Sequence, residues 1–234
     1  MSHGMLVPPR RPVRVRRMTD PNPNSPSPRP SQQRRPQAER SADTRAKLIQ
    51  AAIVCLHRVG YSATTITTVA EEAGVSRGAM THQFPAKTDL MLAVVEAVFE
   101  EDGALYDRTT TTMDPVTWLR VLPDTMWEVM SRPAGIAVME IMLASRSDPS
   151  LGEPLRALQS RIDQQAHRWS NERIRAAGLE PHPEAEAVHE LYVAAVRGLA
   201  LEATFMNNTD GVHRSLKALS DTMLRLYPAL DPKP

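Results

Sequence analysis

Residues 65–84 combine types and spacing suited to reading a nucleic acid. Thr65 and Ser76 each stand just before a short run of helical periodicity, where a hydroxyl caps a helix N-terminus. The end capped by Ser76 presents free N–H groups and the positive pole of a dipole, and both favour a phosphate. Val69, Ala70 and Ala73, then Val75, then Met80 supply a small core between the two runs. The alanines let the helices approach closely, and Gly74 turns the chain, as in a helix-turn-helix unit. Arg77, Gly78, Thr81 and His82 are left outward, facing a groove. Gly78 and Ala79 have almost no side chain, so the backbone there can lie close to base edges or a thymine methyl. A plain corner between two helices has the same spacing, and spacing alone does not choose between them.

Other residues invite other chemistry. Trp118, Met126, Trp127, Met130, Met139, Met142 and Trp169 make the C-terminal part rich in adaptable, polarisable side chains. Two readings stand: the wall of a cavity for apolar ligands, or ordinary core. Glu140 sits in an otherwise apolar run and needs a partner, either a ligand cation or an arginine such as Arg168. His182, Glu186, His189 and Glu190 let a metal site be drawn, but a solvated helix start explains them more simply, and no metal is expected. Cys55, the only cysteine, excludes an intramolecular disulfide and reads as buried and inert between Ile53 and Leu56. There is no Gly-rich phosphate loop, no Gly-x-Ser-x-Gly elbow and no His-Glu-x-x-His helix, so neither an enzyme nor a cofactor is expected.

The elements that must position these residues are all helical. Leu48, Ala52, Leu56 and Val59 recur at helical spacing, and Gly60 closes that first helix. Short helices over about 65–73 and 76–83 follow, then a longer one from Lys87 through Leu90, Val94 and Val98 to about Leu105. Pro115, Pro133 and Pro183 each start a further helix, and Asp148-Pro149 caps and opens another that ends at Gly178. The helix over 134–144 is apolar nearly all round, which predicts a central, buried position. Val212, Leu216, Leu219, Met223 and Leu226 form a heptad-like seam that asks for a partner helix. No alternating strand pattern competes, so the fold class is all-α.

The net charge of +1 conceals a split. Residues 1–40 hold nine of the 28 basic side chains, two of the 27 acidic ones and nine of the 20 prolines. Residues 1–39 therefore read as a disordered basic arm, able to lie along DNA or to act as a solvated tail. Aromatics at 4% disfavour a stacking platform for single strands. The N-terminus lacks an apolar segment of the secretory kind, and with one cysteine this predicts a cytoplasmic location.

The residues Arg45-Ala-Lys-Leu-Ile-Gln-Ala-Ala-Ile, Gly60-Tyr-Ser-Ala-Thr-Thr-Ile, Val69 through Phe84 and Lys87-Thr-Asp-Leu90 closely resemble the DNA-binding head of the TetR (tetracycline-repressor-like) family. The resemblance implies a helix-turn-helix domain over 40–86 and a helical effector-binding and dimerisation domain over 87–234. It implies a homodimer reading a palindromic operator, with recognition helices roughly 34–36 Å apart, and release by an effector, apolar or cationic. Carried onto this chain, Thr65 and Ser76 meet phosphates, while Arg77, Gly78, Ala79 and Thr81 face bases. His82 offers a further contact, and Lys87 meets the DNA backbone. The family favours Tyr where this chain has Thr81, and His or Tyr where it has Gln83, which removes a phenolic phosphate contact. For the effector pocket the resemblance points to Trp127, Met130, Met139, Glu140, Met142, Trp169 and Tyr192. The expected function is a ligand-responsive transcriptional repressor; the alternative is a helical ligand-binding or interaction module whose head does not read DNA.

Overall fold

The computed structural model describes residues 37–206 and 209–228, and among them it contains helices and no strand. The expectation for the arm falls mostly outside the described residues. Only its end is seen, and that end is helical: α1 spans Gln37–Ala63. Gly60 lies within that span at φ 73°, a left-handed conformation that breaks the helix where the sequence places its close.

The two short helices follow as expected. Thr65 caps α2 (Ile66–Glu72) in a reciprocal box with Thr68, and Ser76 caps α3 (Arg77–Gln83) by accepting from the Ala79 N–H at 3.2 Å. Between them Gly74 adopts φ 63°, and the Val75 N–H closes back onto the Ala70 carbonyl at 2.9 Å. Next come α4 (Lys87–Thr112), α5 (Pro115–Arg120) and α6 (Leu122–Met130). The sequence suggests one helix across 115–130; the break at Val121 arises because Pro123 has no N–H for the Leu119 carbonyl. The remaining helices are α7 (Pro133–Ala144), α8 (Pro149–Ala176), α9 (Ala185–Met206) and α10 (Thr209–Leu226).

Two clusters of buried side chains hold these elements. The first joins Leu48, Ala52 and Leu56 of α1 to Val69, Met80 and Phe84, then runs on without a break into Ala137, Ile141, Leu151 and Leu155 of α7 and α8. The core of the head thus continues past residue 86, and α7 is its far wall, packed along α1. This accounts for the apolar character of α7, although Leu143 is left exposed. The second cluster gathers Trp118, Met126, Ile174, Tyr192 and Val196 with Val212, Leu216 and Met223 of α10. The seam on α10 therefore finds its partners inside its own chain. The exposed apolar face lies instead on α9, where Leu191, Phe205 and Met206 are 61%, 73% and 57% exposed.

Candidate nucleic-acid interface and ligand cavity

Thr65, Ser76, Arg77, Gly78, Thr81 and His82 are all exposed, and Ala79 is half-buried beside them. The two capped N-termini, of α2 and α3, therefore stand open on the side that carries Arg77. A Cβ added to Gly78 would meet nothing within 4 Å, so no internal packing demands a glycine there. The Thr81 hydroxyl bonds back to the Arg77 carbonyl at 3.0 Å, which leaves the guanidinium as the long polar reach of α3. Gln83, at one of the positions departing from the family pattern, donates to Ser41 Oγ at 2.7 Å and ties α3 to α1. Arg45 lies over the Phe84 ring at 4.5 Å and braces the same C-terminal end of that helix.

Lys87 is placed differently from the sequence expectation. Its ammonium donates to the Tyr61 carbonyl at 2.7 Å and sits 3.7 Å from the centre of the Tyr61 ring. Burial lowers the pKa of this amine. The ammonium is thus engaged within the chain, where Lys87 braces the start of α4 against the end of α1.

Glu140 also has a different partner. Its carboxylate accepts from the Tyr61 main-chain N–H at 3.1 Å, at the carbonyl-rich end of α1 where Gly60 has broken the helix. Neither Arg168 nor a ligand cation is needed, and Glu140 does not line the cavity described below. The Tyr61 hydroxyl donates to Asp148 at 2.6 Å, completing a set of polar contacts from the head to α7, to the α7–α8 turn and to α4.

A cavity of about 840 Å3 opens between α4, α6, α7, α8 and α9. That lies within the range of roughly 300–1,000 Å3 usual for small-molecule sites. Of the residues expected there, Met130, Met139 and Trp169 line it. Trp127, Met142 and Tyr192 do not: Met142 packs on the first core, Trp127 on the second, and Tyr192 is buried with its hydroxyl on the Leu219 carbonyl at 2.7 Å. The wall also holds Trp118 and Met126, named among the candidates for a cavity wall, and His189, weighed only as a metal ligand; Tyr106, Asp102, Asp163 and Arg197 are wall residues that sequence reasoning missed. His189, Val193 and Arg197 recur every four positions and so share one face of α9, a periodicity that was there to find.

The wall mixes apolar and aromatic side chains with polar ones, charged residues of both signs among them. Trp169 packs edge-on against Trp118 at 4.9 Å between ring centres and tilted against Tyr106 at 5.4 Å. Burial pushes the Asp102 carboxyl up to about 7, against the pull of its partner Arg132. Burial, reinforced by His167 whose ring meets it edge-on at 4.7 Å, pushes His189 down to about 4. No group of three side chains among the described residues is arranged to hold a metal, and His189 faces the cavity, not His182.

Comparison with known proteins places this arrangement. The model of bacterial regulatory proteins of the tetR family matches residues 48–94. The HTH-type transcriptional regulator CymR of Pseudomonas putida is 30% identical over 187 residues, covering 79% of this chain and 91% of CymR. The regulator BetI of Stenotrophomonas maltophilia is 26% identical, covering 73% of this chain and 86% of BetI. Among solved structures, Salmonella enterica GusR superposes with TM-score 0.62 at 19% identity, covering 80% and 96% of the two chains. A transcriptional regulator from Saccharomonospora viridis, solved in complex with choline, gives 0.60 at 17%, covering 78% and 96%.

Proposed function

Since this chain belongs to the TetR family of helix-turn-helix transcriptional regulators, we propose that it represses transcription as a homodimer on a palindromic operator and is released by a small molecule held in the cavity. The observation that carries this is the sharing of α7 and α4 between the two sites. Both helices line the cavity, and both hold Tyr61 at the end of α1, through Glu140 and Lys87. A ligand that spreads α4 from α7 reaches the head through these contacts. It acts only to the extent that it binds one head spacing better than the other.

In this reading Arg77, Gly78, Ala79 and Thr81 face bases, Thr65 and Ser76 meet phosphates, and His82 supports them. Lys87 acts as a brace. The dimer surface is the apolar face of α9, where Leu191 and Phe205 are exposed and Ala194 and Gly198 leave room for close approach. The test is a footprint on DNA flanking the gene with the full chain. A protected palindrome at moderate salt supports the reading; a folded dimer that protects no specific site overturns it and leaves a ligand-binding module without a DNA role.

A further inference from the structure

Most carboxylates of the cavity wall are engaged by neighbouring donors, whereas two wall donors, on Arg197 and Trp118, stand apart from that pattern. Asp102 is paired with Arg132. Asp107 accepts from Trp169 Nε1 at 3.2 Å and lies 3.9 Å from Arg173. Glu96 faces Arg161 at 3.8 Å, and Asp163 accepts from Gln159 at 2.8 Å. The other lining carboxylate, Glu100, is exposed at the rim.

The donors are less well supplied. Arg197 is half-buried on the face of α9 that borders the cavity, and it forms no ion pair among the described residues. Asp163 lies near enough for its charge to act on Arg197, yet burial dominates and lowers the pKa of the guanidinium. Trp118, 0% exposed and also in the wall, has an indole N–H with no acceptor. A buried donor without a partner carries an unrecovered desolvation cost, and an acceptor brought by a ligand offsets it. The same wall supplies apolar surface from Phe99, Met126, Met130, Val138, Met139 and Ile162.

We propose that the cavity selects a small organic anion, a carboxylate on an apolar body, with Arg197 as its charge partner and the Trp118 N–H as a supporting donor. The proposal rests on the reading of this cavity as the effector site, and it replaces the cationic effector that Glu140 suggested. A planar guanidinium presents paired N–H groups that match a carboxylate, so charge and shape act together. An amine in the same place would find its nearest interior carboxylates already engaged, with Glu100 left at the rim, and would set a like charge against Arg197.

The test is direct binding to the full chain, followed by tryptophan fluorescence and thermal shift. The probes are octanoate, dodecanoate and phenylbutyrate, each beside the primary amide and primary amine of the same skeleton. At least one carboxylate is expected to bind at least about tenfold more tightly than its amide and amine. Arg197→Met should abolish that preference, weakening the carboxylate far more than its amide, and Arg197→Lys should restore part of it. Trp118→Phe should weaken the carboxylate by a smaller factor; the Arg197 pair decides the matter if that variant is poorly folded. Amines binding as well as carboxylates, no carboxylate binding at all, or a preference that survives Arg197→Met would each overturn the proposal. A mobility shift on the operator separates the two levels. A carboxylate that binds through Arg197 without releasing DNA leaves the anion site standing and removes its effector role.

Discussion

The main-chain N–H of Tyr61 donates to the Glu140 carboxylate across 3.1 Å, so the end of α1 is held by the middle of α7. Gly60 makes room for this contact, since a Cβ at that position would stand 3.2 Å from Glu140 Oε2. Two further groups converge on Tyr61: the Lys87 ammonium meets its carbonyl and ring, and its hydroxyl donates to Asp148. One residue thus binds the DNA-reading head to three elements of the body.

Glu140→Ala should destabilise the protein by about 1.5–3 kcal/mol, the usual worth of a charged acceptor on a protected donor. Gly60→Ala should cost a similar amount, because it adds left-handed strain to a crowded Cβ. Urea denaturation measures both. Combined, the two changes should cost less than their sum, since each disturbs the same bond. Fully additive losses would show that Gly60 and Glu140 act separately.

Lys87 and Arg77 should separate cleanly. Lys87→Met removes the ammonium from Tyr61 and should lower stability by about 1–2 kcal/mol. Arg77→Ala should leave the melting temperature where it is and cost about 1–3 kcal/mol of discrimination at one operator base pair. Calorimetry and a mobility shift on operator variants check the pair. A Lys87 variant of wild-type stability whose binding merely loses salt dependence would return that residue to the DNA face.

Asp102 and His189 predict opposite pH slopes. Asp102 titrates at about 7 in the folded chain against an ordinary 3.8, so between those values the folded state holds an extra proton and stability falls as pH rises. His189 titrates at about 4 against 6.5, so the unfolded state holds the extra proton and stability rises with pH over that window. The two contributions offset in the wild type. Relative to it, Asp102→Asn should gain stability and His189→Gln should lose it as pH goes from 4.5 to 6.5. Urea midpoints across that range decide the matter, and parallel curves for all three proteins would contradict it.

Leu191→Arg should yield monomers, since it places a charge on the exposed apolar face of α9. Sedimentation velocity reads the outcome, and far-ultraviolet circular dichroism should stay unchanged. An intact dimer would move the interface off this face. Leu219, which the heptad-like spacing of α10 brings forward, is the wrong residue to change: it packs half-buried within its own chain, and its carbonyl holds Tyr192.

The sequence revealed what local physics dictates. Thr65, Gly74 and Ser76 are recognisable because caps and turns depend on residues only a few positions apart. The apolar run of α7 likewise announces burial. What stayed hidden depends on partners distant in the chain. Glu140 lies 79 positions from the N–H it accepts, and Lys87 is 26 from its carbonyl. In α10 the heptad spacing specifies a neighbour without saying whether that neighbour belongs to the same chain. For the cavity, residue type misled: methionine and tryptophan suit cores as well as pockets, so Met142 and Trp127 went to the cores while Arg197 and His189 reached the wall.

The continuous core from Leu48 to Leu155 also limits how this regulator can be rebuilt. A chimaera that swaps in a foreign reading head at residue 86 severs one hydrophobic unit and leaves Ala137 and Ile141 against an unmatched surface. The Glu140 carboxylate then has no main-chain donor unless the donor head brings its own. Sensors assembled from such parts should carry α7 along with the head, or re-match that seam by selection. The modular unit for engineering is discontinuous in the chain.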